Sequence, residues 1–216
     1  MAFGRDETPE KKLTVINAKG AAKDYSLNVA ATKWDIQDIK GIPQKKVTPS
    51  AADQNEIGRE RGDLKKALAD KLNKNYWEKG FVMPVKGRIS GHFGGQRIMN
   101  GRKMNPHQGT DIAAPEGTPV KAASNGIIRL SGGNYFYSGN TVVIDHGHQL
   151  FTIYAHLKKV SVKAGDYVRQ GQGIGEVGKT GRVTGPHLHW GASLNGVRFT
   201  PESLLHMNNA DFCFNL

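Results

Sequence analysis

The sequence predicts a mainly β protein: a small antiparallel β-sandwich or sheet domain, preceded by an N-terminal segment that contains one amphipathic helix. Two observations lead to this prediction. First, 21 of the 27 glycines fall in residues 81–216, where they separate short β-branched runs, a rhythm typical of antiparallel proteins with many tight turns. Second, a helical periodicity of apolar residues lies between about residues 49 and 73, and it is confined to the first third of the chain.

The N-terminal segment, residues 1–80, is expected to be accessory, because it contains neither histidine nor a carboxylate cluster. Residues 13–16 and 25–29 are candidate strands, although both runs are short. In residues 48–49, Thr48 fits a helix N-cap and Pro49 the first helical position.

The predicted helix carries an apolar stripe. Its members recur at helical spacing and are Ile57, Leu64, Leu68 and Leu72. Because Gly58 and Gly62 weaken the helix by up to ~1 kcal/mol each, we expect the stripe to pack on the β domain or on a second copy of the chain. If the helix lies near a catalytic cleft, it could gate that cleft.

The β domain is expected over residues 81–208, followed by a C-terminal tail at residues 209–216. Within the domain, the sequence predicts strands at residues 118–121, 126–130, 140–144 and 149–154. Residues 145–148 (DHGH) are predicted to form a hairpin turn, and the glycines of residues 162–175 suit the tight reversals of a sandwich or barrel corner.

Composition restricts the function classes. The single cysteine, Cys213, excludes an internal disulfide framework, and no apolar run is long enough to cross a bilayer. Residues 1–6 lack the basic-then-apolar order of a signal peptide, which leaves either a cytoplasmic protein or one whose leader has been removed. The sequence leaves the oligomeric state open.

The net charge of +11 would attract polyanions. Nucleic-acid binding would call for clustered Lys and Arg with interleaved aromatic residues. The basic residues are instead scattered along the chain. A solvated positive surface is therefore the better interpretation, and we expect no nucleic-acid partner.

A short strand is predicted at residues 187–190 (HLHW), between Gly185-Pro186 and Gly191. Successive side chains of a strand point to opposite faces, so His187 and His189 would project together while Leu188 and Trp190 face a core. This arrangement would place two imidazoles on one wall.

A second group of polar residues occurs at residues 106–112. In an extended chain, His107 and Asp111 share a face. Joined by His189 from a distant strand, they form a set of two histidines and one aspartate, which suits a catalytic zinc whose fourth position is left for water. Taken without the later histidines, the pair would more simply be hydrogen bonded at the surface.

His156 lies in the predicted strand that continues to residue 157. Strict alternation would place Phe151, Ile153 and Ala155 on the core face, and Thr152, Tyr154 and His156 on the opposite, polar face. The remaining histidines show no such pairing and are assigned to turns and surface; they are His92, His146, His148 and His206.

Three ordered blocks resemble the motifs of the LytM/lysostaphin-type zinc metallopeptidases, peptidase family M23. Residues 107–111 (HQGTD), 154–157 (YAHL) and 185–190 (GPHLHW) match H-x-G-x-D, Y-x-H-L and G-P-H-L-H. The resemblance covers roughly residues 81–205, although Phe93 and Arg97 are one residue further apart than in the family's upstream Phe-Gly-x-Arg.

The resemblance implies a LytM-type catalytic domain with one Zn²⁺ per chain, held by His107, Asp111 and His189. It also implies that His156 and His187 act beside the metal as catalytic bases or transition-state stabilisers. Members of the family cleave peptide stems or cross-bridges of peptidoglycan outside the cytoplasm, so a periplasmic or secreted location is expected. The absence of H-E-x-x-H excludes a helical zincin.

Two alternatives belong to other classes. One is a catalytically inactive LytM-type module that binds the wall or activates another hydrolase, although here all five functional positions are filled. The other is a lipoyl- or biotin-carrier domain, suggested by the glycine-rich residues 162–175, which would leave the histidines unexplained.

Overall fold

The computed structural model describes residues 2–69 and 72–207 of the chain. The predicted tail, residues 209–216, and the last residue of the predicted β domain lie outside the described residues. The fold is mainly β, as predicted. The strands, in chain order, are β1 (Glu10–Ile16), β2 (Ala22–Asn28), β3 (Ile36–Ile39), β4 (Arg88–Gly91), β5 (Gln96–Met99), β6 (Arg102–Lys103), β7 (Thr110–Ala113), β8 (Pro119–Lys121), β9 (Gly126–Tyr135), β10 (Gly139–Asp145), β11 (Leu150–Val160), β12 (Tyr167–Val168), β13 (Gly173–Val177), β14 (His187–Leu194) and β15 (Val197–Phe199).

Two helices and a short 3-10 helix complete the described elements. They are α1 (Gln44–Val47), α2 (Ala51–Ala67) and the 3-10 helix Pro201–His206. No helix within residues 2–69 and 72–207 has both the length and the apolar character that crossing a membrane requires.

Most of the strands from β4 onward form one ten-stranded, antiparallel sheet within the described residues. Its main path runs β12-β9-β10-β11-β14-β7-β4. The central strands are long and apolar on both faces, so β10 and β11 are buried along most of their lengths. All four predicted strand runs are confirmed, as is the hairpin turn between β10 and β11.

The N-terminal strands form separate, smaller sheets. β1 and β2 pair as an antiparallel hairpin, so both candidate runs near the N-terminus are strands. β3 pairs in parallel with β5, which in turn pairs with β6. This pairing ties the N-terminal segment to residues that immediately precede the predicted site.

Helix α2 begins later and ends earlier than the sequence predicted. Its N-cap is Ser50, whose hydroxyl accepts a hydrogen bond from the Asp53 backbone N–H at 3.2 Å. The Asp53 carboxylate accepts one in return from the Ser50 backbone N–H at 2.9 Å. This reciprocal capping box satisfies two backbone donors at once, so Ser50, not Thr48, caps the helix. Leu72 lies beyond its end.

The predicted docking of α2 on the β domain is confirmed. Leu64, Ala67 and Leu68 pack against one face of the large sheet, where they meet Val143, Phe151 and Ile153. The opposite face of the same sheet holds the main core, which includes Tyr154, Leu188 and Trp190. The sheet is therefore covered on both sides, and the helix shields the side that carries the predicted site.

This double burial corrects two predictions from the sequence. The face of β11 that holds Thr152 and Tyr154 is fully buried and not a polar cleft wall. The sequence predicts a turn or surface position for His146, but this residue is also fully buried. Its Nδ1 donates to the Asn125 carbonyl at 2.6 Å, and its Nε2 lies 2.7 Å from the Thr152 hydroxyl. These polar groups satisfy one another and so can occupy the core.

Candidate metal centre

His107, Asp111 and His189 converge on one point, as the sequence predicted. His107 Nε2 lies 3.0 Å from His189 Nδ1 and 3.0 Å from Asp111 Oδ1. His189 Nδ1 lies 2.9 Å from the same carboxylate oxygen. The three atoms form a nearly equilateral triangle, and all three residues are at least partly buried.

Strand pairing explains this convergence. β14 pairs with β7 so that His189 lies directly opposite Asp111, and directly opposite residues share a face. His107 lies before β7 and reaches the same place because Gly109 lets the chain pass close to β14. A Cβ atom on Gly109 would lie 2.5 Å from the Trp190 carbonyl oxygen and 2.7 Å from His189 Nε2.

The donor set fits a divalent metal ion of the zinc type. The His107 Nδ1–H donates to the His92 carbonyl at 3.0 Å, which leaves the Nε2 lone pair directed into the triangle. Imidazole nitrogens and a carboxylate oxygen are the usual ligands of catalytic zinc, and at bond lengths of about 2.0–2.2 Å a tetrahedral ion separates its ligands by roughly 3.3 Å. The observed spacing of about 3 Å requires only a small expansion on binding.

The carboxylate of Asp111 has a second partner that the sequence did not reveal. Arg97 Nη2 donates to Asp111 Oδ2, which leaves Oδ1 for the triangle. The two residues lie on β5 and β7, which belong to different sheets. No local pattern in the sequence signals such a contact. The extra residue between Phe93 and Arg97, compared with the family motif, still leaves Arg97 within reach of Asp111.

His156 reaches the site through a bulge in β11. Asn140 pairs with Leu157 and Val142 with Tyr154, so a step of two residues on β10 matches a step of three on β11. His156 has a φ angle of +64°, which is uncommon for a residue other than glycine. The bulge breaks the alternation, so His156 lines the cleft together with Ile153 and Ala155, while Tyr154 stays in the core.

His156 and His187 are both oriented by backbone carbonyls. The His156 Nδ1–H donates to the Thr180 carbonyl at 2.9 Å, and the His187 Nδ1–H donates to the Gly185 carbonyl at 2.9 Å. Each ring therefore keeps an Nε2 lone pair free. The two ring centroids are 4.8 Å apart, and His187 Nε2 lies 3.7 Å from Asp111 Oδ1. The structure thus brings all five predicted site residues together.

The protonation states suit metal binding at neutral pH. Burial lowers the pKa of His189 to about 4. Burial, followed by the proximity of His187 and His189, also lowers the pKa of His156. For Asp111, burial opposes ionisation, but hydrogen bonds from His107 and His189 outweigh it and hold the pKa well below its ordinary value. Neutral imidazoles and an ionised carboxylate are the forms that bind metal.

These residues open into a cleft of about 590 Å³. One wall is the sheet, with His107, His156 and His189. The other wall comes from the N-terminal segment, including Val47, Pro49 and residues of α2. The charged side chains around the cleft are mostly cationic; they are Glu60, Arg61, Arg97, Arg102, Lys103, Arg182 and Arg198.

Glu60 connects α2 to the loop beneath His156. This buried carboxylate accepts hydrogen bonds from the Tyr137 N–H at 2.9 Å, the Ser138 N–H at 3.0 Å and the Ser138 hydroxyl at 2.7 Å. The Ser138 carbonyl in turn accepts from the His156 N–H at 2.8 Å. Nothing in the sequence signals this connection, because a single Glu on a charged helix has no local signature.

Comparisons with known proteins agree with this geometry. The sequence profile described as Peptidase family M23 matches residues 105–201. The peptidoglycan DD-endopeptidase ShyC of Vibrio cholerae is 37% identical over 154 residues, which make up 67% of this chain and 35% of that protein. The chain thus spans about a third of the length of this curated relative.

Two crystal structures extend the comparison. A peptidase M23 structure from Pseudomonas aeruginosa is 32% identical with a TM-score of 0.72, covering 93% of this chain and 75% of that one. The catalytic domain of lysostaphin from Staphylococcus simulans is 35% identical with a TM-score of 0.50, covering 56% of this chain and 93% of that one. The match to the Pseudomonas structure therefore includes most of both chains, the N-terminal segment among them. Together, the site geometry and these similarities show that the chain belongs to peptidase family M23.

Proposed function

We propose that the chain is a zinc-dependent endopeptidase that hydrolyses peptide stems or cross-links of bacterial peptidoglycan. The observation that carries this proposal is the convergence of a triangle of ligand atoms from His107, Asp111 and His189 with the two oriented imidazoles of His156 and His187. The name of the Vibrio relative, a peptidoglycan DD-endopeptidase, supports this substrate class.

His107, Asp111 and His189 would hold the metal ion, one per chain. Zinc bound there supplies Lewis acidity, since it lowers the pKa of water to about 7 and polarises a peptide carbonyl. Three protein ligands leave room for water and substrate. Arg97 holds Asp111 in place through the carboxylate oxygen that faces away from the triangle.

His156 and His187 would move the protons. Their Nε2 lone pairs are free because each Nδ1–H donates to a backbone carbonyl. One imidazole can accept the proton of the attacking water, and an imidazolium can donate a proton to the departing amine.

The chemistry also suggests where the protein acts. Peptidoglycan lies outside the cytoplasm, so the proposal places this chain in an extracytoplasmic compartment. The largely cationic cleft would attract the carboxylates of a wall peptide. An inactive module that only binds the wall has no need of five functional side chains, so the geometry favours the enzyme.

The test is digestion of purified peptidoglycan, analysed by mass spectrometry. We expect cross-linked muropeptides to be converted into products that have gained one water, and the fragments identify the bond that is cut. A His206→Ala variant serves as the control, because this exposed histidine lies outside the cleft. Zinc-loaded protein that releases no product from any wall substrate would contradict the proposal.

A further inference from the structure

Arg198 extends the candidate site along the sheet. β15 pairs with β14 so that Arg198 lies opposite Ser193, which lies opposite Phe151 on β11. This row belongs to the face of the sheet that carries His189, because His189, Gly191 and Ser193 alternate along the same side of β14. Arg198 accordingly lines the cleft.

The guanidinium of Arg198 lies back over Gly191, toward the triangle. Its Nη1 atom would be 3.4 Å from a Cβ atom placed on Gly191. Gly191 follows His189 by two residues, which is about 7 Å along a strand at ~3.3 Å per residue. Because Gly191 has no side chain, the guanidinium of Arg198 can lie over it. Gly191 is the next residue after the candidate metal ligand His189 on the same face of β14.

Among residues 2–69 and 72–207, no hydrogen bond or ion pair reaches the guanidinium of Arg198. Burial lowers its pKa to about 10, and no opposing charge offsets that effect. Arg97, in contrast, pairs with Asp111, and Arg182 stacks on the Tyr137 ring.

An unpaired, partly buried cation is costly unless an anion joins it. Glu60 already accepts three hydrogen bonds, and Asp111 pairs with Arg97. Neither carboxylate therefore competes for Arg198. The planar fork of an arginine matches a carboxylate and can donate two parallel hydrogen bonds to it. The surroundings thus favour a carboxylate that arrives with the substrate.

We propose that Arg198 binds a carboxylate of the peptide substrate, one or two residues from the scissile bond. The spacing follows from the distance of about 7 Å along the strand, since consecutive Cα atoms of an extended peptide are about 3.8 Å apart. This inference rests on the proposed function, because it treats the cleft as a peptide-binding site. Arg198 would thereby select substrates that carry a free carboxylate.

The test compares two forms of one cross-linked muropeptide, with its carboxylates free or amidated. For the natural chain, we expect kcat/KM to be about 10- to 100-fold higher for the free acid, the range given by a hydrogen bond to a charged group. R198Q should lose this preference through a rise in KM for the acid alone. R198K should keep part of it, since it retains the charge but not the fork.

The control is K121Q, which removes one charge from an exposed position of β8, outside the cleft; it should keep the full preference. Thermal unfolding shows whether R198Q is folded. If R198Q does not fold, the acid-to-amide ratio of kcat/KM for the natural chain and for R198K still tests the inference. Equal use of both forms by the natural chain, or equal losses for both in folded R198Q, would overturn the inference.

Calorimetric binding of the same two peptides separates this inference from the proposed function. Tighter binding of the acid form by the natural chain but not by R198Q supports the carboxylate site even if no peptide bond is cut. Hydrolysis of both peptides without a preference for the free acid would support the proposed function but contradict the role of Arg198.

Discussion

At the scale of single residues, backbone carbonyls decide which nitrogen of each histidine is available. His107, His156 and His187 each donate Nδ1–H to a carbonyl, so all three present Nε2 to the site. His189 instead presents Nδ1 to Asp111 and His107. Distance distinguishes the candidate metal ligands from the other histidines: the candidate ligand atoms are about 3 Å apart, whereas His187 Nε2 is 3.7 Å from Asp111 Oδ1.

The first prediction separates the roles of these histidines. We expect His189→Ala to lose both metal and activity, because two remaining protein ligands hold zinc poorly. His187→Ala and His156→Ala should keep their zinc but lose about 10²–10⁴-fold in rate, the usual contribution of general acid–base groups. Elemental analysis and muropeptide cleavage measure the two properties, with His206→Ala as control. Loss of zinc in His187→Ala but not in His189→Ala would reverse the assignment.

The second prediction concerns His146, whose burial lowers its pKa to about 4. Because the unfolded chain binds this proton near pH 6.5, the free energy of unfolding should fall as the pH drops from about 6.5 to about 4. The loss approaches about 3 kcal/mol, at 1.36 kcal/mol per unit. Above pH 7 this contribution to stability is fully present.

Urea unfolding of metal-free protein at pH 7, 5.5 and 4.5 measures that dependence. His146→Gln should have a lower stability at pH 7 and a shallower dependence on pH. His148→Gln is the matched control, since His148 is the exposed neighbour in the same turn. Parallel pH profiles for the natural chain and His146→Gln would show that His146 does not cause the acid sensitivity.

At the scale of elements, α2 has two functions. Its apolar side covers the sheet through Leu64, Ala67 and Leu68, and its Glu60 holds the loop whose Ser138 carbonyl binds the His156 backbone. The bulge in β11 gives His156 its direction, and this loop supports the bulge. An element outside the β domain therefore positions a candidate catalytic group.

The third prediction tests this connection with Glu60→Gln. The amide would place a donor against either the Tyr137 N–H or the groups of Ser138, so one buried donor would lose its acceptor. We expect the free energy of unfolding to fall by about 1–3 kcal/mol and kcat to fall with unchanged zinc content. Glu56→Gln on the same helix should change neither property. Reduced stability with an unchanged kcat and pH profile would mean that Glu60 acts only in folding.

At the scale of the whole molecule, the site exists only in the folded chain. Its candidate ligands come from β7, β14 and the segment before β7, and the pairing of β7 with β14 places Asp111 opposite His189. The cleft also needs the N-terminal segment, which forms one wall. Metal binding and folding should therefore be thermodynamically linked.

The fourth prediction follows from that linkage. Chelation should abolish hydrolysis, and added zinc should restore it. Zinc should raise Tm at neutral pH, and the shift should shrink in acid because the imidazoles must be neutral to bind. Zinc titration calorimetry at pH 7.5, 6.5 and 5.5 measures the change in affinity. Undiminished hydrolysis by protein shown to be free of metal would remove this mechanism.

The sequence by itself determined the fold class and the candidate ligand set. Even spacing on extended segments puts His107 on one face with Asp111, and His187 on one face with His189. The resemblance to the M23 motifs then implies that His189, and not His187, completes the set. The strands of the β domain were also predictable from their β-branched runs and glycine turns. The stripe containing Leu64 and Leu68 indicated that α2 must dock on another surface, because a helix with an exposed apolar side is unstable alone.

Only the tertiary structure decided the direction of His156, the burial of His146, the partners of Arg97 and Glu60, and the placement of Arg198 in the cleft. Alternation along a strand assumes regular pairing, whereas the bulge at His156 arises from a mismatch between two strands. Burial depends on what covers a face, and α2 and the main core cover both faces of the sheet. Contacts between residues on different elements leave no periodic pattern along the chain, so they become visible only when the elements are packed.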